Sequence, residues 1–295
     1  MSVTFTGSGF SADTNPPANG EIDFNVVSPP GLVTLTDASD AFKVGDTVSY
    51  TTGTRSGTGT YVGYANVDGV DYPVVNLSGI YFAFGARNAG QGPYPFTADD
   101  LPCFLAGTRI ATPQGEIAVE DLRIGDPVLT LDGSTRPVEW IGRRTVVAAF
   151  ADPLRGWPIR VKAGALGENT PARDLLLSPD HALLIDGVLI QAAALVNGVS
   201  VLRETSVPER FVYFHIELAD HALILAEGAP AETFVDNIER WCFDNAAEFE
   251  ALYPDGKPVA ELPYPRAKAA RQVPGRVRAL MHERSRAIGA AATAA

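Results

Sequence analysis

Apolar and polar residues alternate through the first hundred positions in short runs such as Ile22-Asp23-Phe24-Asn25-Val26 and Leu32-Val33-Thr34-Leu35-Thr36. A period of two puts every second side chain on one face of a strand, so these runs predict β structure. Gly, Asn and Pro separate them and break any longer element. The clearest hairpin pairs Tyr61–Val67 with Val70–Leu77 around Asp68-Gly69, because Asp-Gly accepts the positive φ angles of a two-residue turn. Residues 1–102 are therefore expected to form a small β-rich domain.

From Cys103 the pattern stays β but its texture changes. Turns at Pro113-Gln114-Gly115, Asp132-Gly133 and Asp186-Gly187 punctuate strands such as Val128–Leu131, Leu175–Leu177 and Val188–Ile190, with little helical periodicity. Asp180-His181-Ala182-Leu183-Leu184-Ile185 returns forty residues later as Asp220-His221-Ala222-Leu223-Ile224-Leu225. One such echo points to a duplicated half-domain, with pseudo-two-fold halves, since a solenoid needs several repeats. An all-β domain over 103–237 follows.

After Asn237 the period becomes helical, with Ile238, Trp241, Cys242, Phe249, Leu252 and Tyr253 able to share a face. Pro254, Pro258, Pro263 and Pro265 then predict an extended linker, because Pro lacks the backbone donor and restrains its predecessor. A second helix is expected from about Arg276 to Ile288, with Val277, Leu280, Met281 and Ile288 on one side and Arg276, Arg278, Arg284 and Arg286 on the other. The fold class is all-β, with 238–295 as a short helical, Pro-interrupted tail.

Charge narrows the function classes. The net charge of -12 over 295 residues argues against a nucleic-acid role, which needs a clustered basic face. Residues 256–295 are the exception, with 8 basic against 2 acidic residues. A charge run of this kind reads as a solvated tail docking on acidic surface, ahead of a nucleic-acid or membrane site, and its partner stays open. Met1-Ser2-Val3-Thr4-Phe5 does not read as a cleavable signal, and no run of about 18 apolar residues reads as a membrane span. A cytoplasmic address is the default, with leaderless export open. Two cysteines, Cys103 and Cys242, make no disulfide framework, although one bridge is compatible with the count. The four histidines and two cysteines lack the short paired spacings of structural zinc, so no metal or other cofactor is expected.

A lone cysteine in a β-rich chain is ordinarily a small buried hydrophobe. Here its surroundings differ. Cys103-Phe104-Leu105-Ala106-Gly107-Thr108-Arg109-Ile110-Ala111-Thr112-Pro113-Gln114-Gly115 resembles the opening block of Hedgehog/intein (Hint) domains, and Ile117–Leu131 continues it in register. The family's second block, Thr or Ser, two further residues and then His, is matched by Ser178-Pro179-Asp180-His181. The closing block resembles Val212–Leu218, then Asp220-His221, a hydrophobic strand and Phe234-Val235-Asp236-Asn237. The likeness covers 103–237 and is nearest the bacterial intein-like branch. It implies self-processing, with Cys103, Ser178, His181, Asp220 and Asn237 as site residues. Asp236 departs from the His that usually precedes the terminal Asn of inteins.

The chemistry follows from the residues too. An amide resists attack through its resonance, so breaking Pro102–Cys103 requires an activated sulfur, a polarised carbonyl and a proton for the departing amine. The Cys103 sulfur lies one residue from the scissile carbonyl and reaches it through a five-membered ring at high effective molarity. His181, with an ordinary pKa of about 6.5, suits protonation of the leaving nitrogen. Ser178 is expected to fix His181 or the amide, and Asp220, with less weight, to accept the thiol proton or hold the leaving group. His215 reads as a structural strand residue and Cys242 as core, while His221 divides evenly between the two roles.

The thioester could be resolved by water, by a small nucleophile or by a downstream side chain. Residue 238 is Ile, which carries no nucleophilic atom, so cleavage of the chain's own N-terminal domain is expected ahead of splicing. Asn237 directly precedes a predicted helix, where it reads as an N-cap ahead of a cyclising residue. Two rivals remain: an inactive Hint scaffold serving as a structural or interaction module, and a cysteine hydrolase acting on other substrates.

Overall fold

Strand pairing begins with the first alternating runs. The computed structural model describes β1 (Val3–Ser8), β2 (Phe10–Asp13), β3 (Glu21–Ile22), β4 (Val26–Val27), β5 (Leu32–Asp37), β6 (Thr47–Thr52), β7 (Arg55–Val67), β8 (Val70–Leu77), β9 (Ile80–Phe84) and β10 (Tyr94–Thr97), with Ser78. Beyond these it describes residues 102–148, 151, 153–233, 243–254, 257 and 259–294. The strands hydrogen-bond in the order β1-β5-β6-β7-β8-β9-β2-β4, with β10 against β7 and β3. Leu35, Val48, Tyr61, Val75 and Phe84 meet on one face as a small core. The β7–β8 hairpin pairs Val67 with Val70, the register that a two-residue connection requires, while Asp68 and Gly69 themselves lie outside the described residues.

A second unit comprises residues 102–233 and 248–294. Its strands are β11 (Phe104–Leu105), β12 (Arg109–Thr112), β13 (Gly115–Ala118), β14 (Pro127–Leu129), β15 (Thr135–Pro137), β16 (Trp140–Val147), β17 (Ile159–Val161), β18 (Leu175–Leu177), β19 (Ala182–Ile185), β20 (Val188–Gln191), β21 (Val201–Arg203), β22 (Arg210–Glu217), β23 (Leu223–Ala226), β24 (Ala229–Glu232) and β25 (Arg266–Ala267). One sheet runs β16-β22-β11-β18-β17-β21 and another β13-β12-β23-β24-β19-β20-β25, while β14 and β15 form a separate ribbon.

The internal echo is visible in the second sheet. Each copy of the repeated string leads into a hairpin, β19–β20 and β23–β24, and the two lie side by side with Leu183 opposite Ala231. Both close on two residues of positive φ, Asp186 (52°) with Gly187 (77°) and Glu227 (49°) with Gly228 (77°). That is the geometry whose twist matches flanking strands. Glu227 tolerates it with its carboxylate accepting from the Arg109 amide and the Arg173 guanidinium, each at 2.7 Å.

The C-terminal segment is seated on this unit. Ala267, Val273, Val277 and Met281 are buried in the same core as Phe104, Ile159, Leu177, Leu183, Ile216 and Ile224. The second expected helix is present as α2 (Gly275–Ala294), following α1 (Ala246–Leu252). Val277 and Met281, four apart, share the inward face and seat the segment through apolar contact as well as through charge. Arg276 pairs with Asp186 of the β19–β20 turn, while Arg266 pairs with Glu261 within the segment itself. In α1 the expected apolar position Phe249 meets Trp140 edge-on at 5.4 Å. Ile238, Trp241 and Cys242 lie outside the described residues. Among those described, no helix is long and apolar enough to cross a membrane.

Candidate functional site

The site is assembled by strand register. β11 lies between β18 and β22, with Phe104 opposite both Leu177 and Phe214. Antiparallel pairing therefore sets Cys103 opposite Ser178, one step beyond the end of β18. The Cys103 amide donates to Ser178 Oγ at 2.7 Å, and the Ser178 amide donates to the Cys103 carbonyl at 2.9 Å. Pro102 and Ser178 are buried and Cys103 is 0% exposed, so the candidate scissile bond is shielded from water. Cys103 keeps its thiol.

A turn delivers the histidine. The His181 amide donates to the Ser178 carbonyl at 3.3 Å, with Pro179 at the second position, where its fixed φ suits a turn. This folds the His181 ring onto Phe104, ring centres 4.3 Å apart, with His215 of β22 at 5.9 Å. His181 Nε2 lies 3.0 Å from the Glu232 carbonyl. A carbonyl only accepts, so Nε2 carries the ring proton and Nδ1 is the nitrogen that takes up another.

Electrostatics follow burial. The His181 ring is wholly enclosed, which pushes its pKa below the ordinary value of 6.5, against the opposing pull of Glu232. At neutral pH the ring is neutral. Burial alone would raise Glu232, but the adjacent His221 ring and the Arg266 guanidinium outweigh it and bring the carboxyl down to about 2. Burial first, then the neighbouring Cys103 sulfur, pushes the Tyr213 phenol well above its ordinary range; it stays protonated and donates to the Gly156 carbonyl at 3.0 Å.

These shifts set an acid limit on stability. Both folded values lie below their unfolded ones, so both contributions are present at neutral pH and lost on acidification. The His181 loss begins below pH 6.5 and the Glu232 loss runs from 4.5 towards about 2. The Glu232 shift alone corresponds to about 3 kcal/mol. Urea midpoints are expected to fall steadily from neutral pH to about pH 3, and Glu232→Gln to flatten the lower part of that curve. Midpoints constant over the range would contradict this account.

The other anticipated residues are placed differently. Asp220 is half exposed and held by Arg136 at 2.8 Å, and among the described residues no hydrogen bond or ion pair joins it to Cys103, Ser178 or His181. Asn237 and Asp236 lie outside the described residues. His221 is buried, accepting from the Leu262 amide at Nδ1 (2.9 Å), with Nε2 at 3.5 Å from the Glu232 carboxylate. His215, read from sequence as structural, borders the His181 ring. Glu232 was missed; its one signal was a charged residue inside an apolar strand, Ala229-Pro230-Ala231-Glu232, which a buried strand accommodates only with partners.

Residues 102–237 match the family model described as Hint domain. The chain carries a Hint domain. No curated protein matches the chain. Among solved structures, the chain is similar to the crystal structure of the gp41-1 intein, at 13% identity over 44% of this chain and 98% of that one, with a TM-score of 0.33. It is also similar to that of the MchDnaB-1 intein, at 18% identity over 43% of this chain and 98% of that one, with a TM-score of 0.30. The Hint domain places the chain among self-processing proteins in general terms.

Proposed function

We propose that the Hint domain breaks the Pro102–Cys103 bond through an N–S acyl shift, using the N-terminal β-rich residues as its own substrate. The observation that carries this is the 2.7 Å hydrogen bond from the Cys103 amide to Ser178 Oγ, next to the buried His181. Neutral His181 takes the thiol proton at Nδ1, and Sγ forms a bond to the Pro102 carbonyl carbon. As the C–N bond breaks, that proton passes to the Cys103 nitrogen, giving a Pro102 thioester and a free amine. Ser178 holds the nitrogen in line, its hydroxyl accepting from the amide and turning to donate as the nitrogen lone pair develops. Water or a small nucleophile then releases residues 1–102. No cofactor enters these steps.

The complete burial of Cys103 favours a second reading, in which the domain is an inert scaffold and nothing reaches the sulfur. Intact mass of freshly made protein, followed over hours near neutral pH with and without hydroxylamine, separates the two. Processing predicts a C-terminal fragment beginning at Cys103, with release accelerated by hydroxylamine because a thioester is electrophilic. It also predicts an intact Asn237–Ile238 bond and no joined product of 1–102 with 238–295, since Ile238 offers no nucleophile. Full-length mass alone, unmoved by hydroxylamine, would establish the scaffold. A joined product would establish splicing.

A further inference from the structure

Beyond the family-matched region, the chain turns back and adds β25 to the second sheet, parallel to β20, with Arg266 opposite Leu189 and Ala267 opposite Ile190. The strand brings one cation inward. Arg266 Nη2 donates to Glu232 Oε2 at 2.6 Å, while its Nε is held by Glu261. The other Glu232 oxygen accepts from the Ala182 amide at 2.9 Å, the residue directly after His181, and the Glu232 carbonyl meets His181 Nε2 at 3.0 Å. Glu232 thus grips the histidine and its strand from both ends, and Leu262 of the same returning segment fastens His221 against the carboxylate.

We infer that Arg266 is a positioning residue: delivered from outside the Hint domain, it locks Glu232 in the geometry that orients His181 towards Cys103. The inference rests on the processing reading for its consequence but not for its wiring. The groups that bear on the His181 ring include the backbone of Cys103 heading β11, His215 of β22, Glu232 ending β24, and Arg266 of β25. Arg266 opposes protonation of the ring and Glu232 favours it, so removing the cation while the carboxylate persists moves the ring midpoint upward. A bidentate planar group is needed to hold Glu232 and Glu261 together, which Lys reproduces only as a point charge.

The test uses the full chain in two backgrounds. In Cys103→Ala, where no processing occurs, the His181 ring is titrated by NMR with Arg266, Arg266→Lys and Arg266→Gln. The expected order of midpoints is Arg266 lowest, Lys close to it and Gln highest. The double variant Glu232→Gln/Arg266→Gln, which buries no uncompensated charge, covers the case in which Arg266→Gln does not fold; it is expected to depart from the native titration as well. In the chain with Cys103, Arg266→Gln is expected to slow release roughly 10- to 100-fold, to move the acid limb of the rate profile upward, and to be partly rescued by Lys or by added guanidinium. Identical His181 titrations in every variant would overturn the inference. Shifted titrations with no release from any variant would overturn the processing reading and leave the Arg266 linkage standing.

Discussion

Replacing Cys103 by Ala is expected to abolish release of residues 1–102, with hydroxylamine unable to restore it. The substitution removes only the sulfur, at a position wholly enclosed between β18 and β22, and leaves the amide that donates to Ser178 Oγ. The fold therefore persists while the bond-forming atom is gone, and no other thiol among the described residues replaces it. His181→Ala is expected to slow release by about 10² to 10⁴, the usual range for a positioned acid or base. In the proposed mechanism an enclosed ring that is neutral at rest would act first as acceptor and then as donor. Intact-mass time courses of both variants against the native chain, with circular dichroism to confirm folding, decide the matter. Undiminished release from Cys103→Ala ends the thioester mechanism, and a rate within about threefold of native removes His181 from it.

Ending the chain at Asn237, where the family match ends, is expected to unfold the Hint domain. Two of its buried carboxylates take their cations from the segment that follows. Glu217, 0% exposed, meets Lys257 Nζ at 3.2 Å, while the same amine bonds the Leu218 carbonyl at 2.6 Å; Glu232 meets Arg266. Breaking a buried pair by deleting one partner costs about 3–5 kcal/mol. The truncation deletes both, together with β25 and the core residues Val273, Val277 and Met281. Against a total stability of roughly 5–15 kcal/mol, these losses are decisive. Thermal melts of the two chains measure the effect; a truncated chain melting within a few degrees of the full one would show that the returning segment is a passenger. The same contacts imply that scission at Asn237–Ile238 would leave the downstream segment bound.

Much of this architecture is written in local pattern. Alternation foretold the β7–β8 hairpin, the Asp186-Gly187 turn and the all-β class, because strand periodicity and turn chemistry act over a few residues. The repeated Asp-His string marked two hairpins that do pack as neighbours. The opening and second blocks named Cys103, Ser178 and His181, which register then brings together. Asp220 fell on the right stretch of chain yet faces Arg136, since a residue at a strand entry turns inward or outward according to pairing that no short window contains.

Partners far apart along the chain are the part that stayed hidden. Glu232 and Arg266 are ordinary charged residues in sequence, thirty-four positions apart. Lys257 and Glu217 are forty. The basic tail read as a solvated segment docking on acidic surface, and its apolar seating in the core stayed hidden because a Pro-rich stretch and a cationic helix look alike in sequence however they dock. Residues 103–237 were legible as a Hint domain because the chemistry of its blocks is local. That residues of the returning segment are built into the same core and pair its buried carboxylates was visible only in the tertiary structure, since a carboxylate inside a β core takes a cation from whichever segment the fold can bring to it.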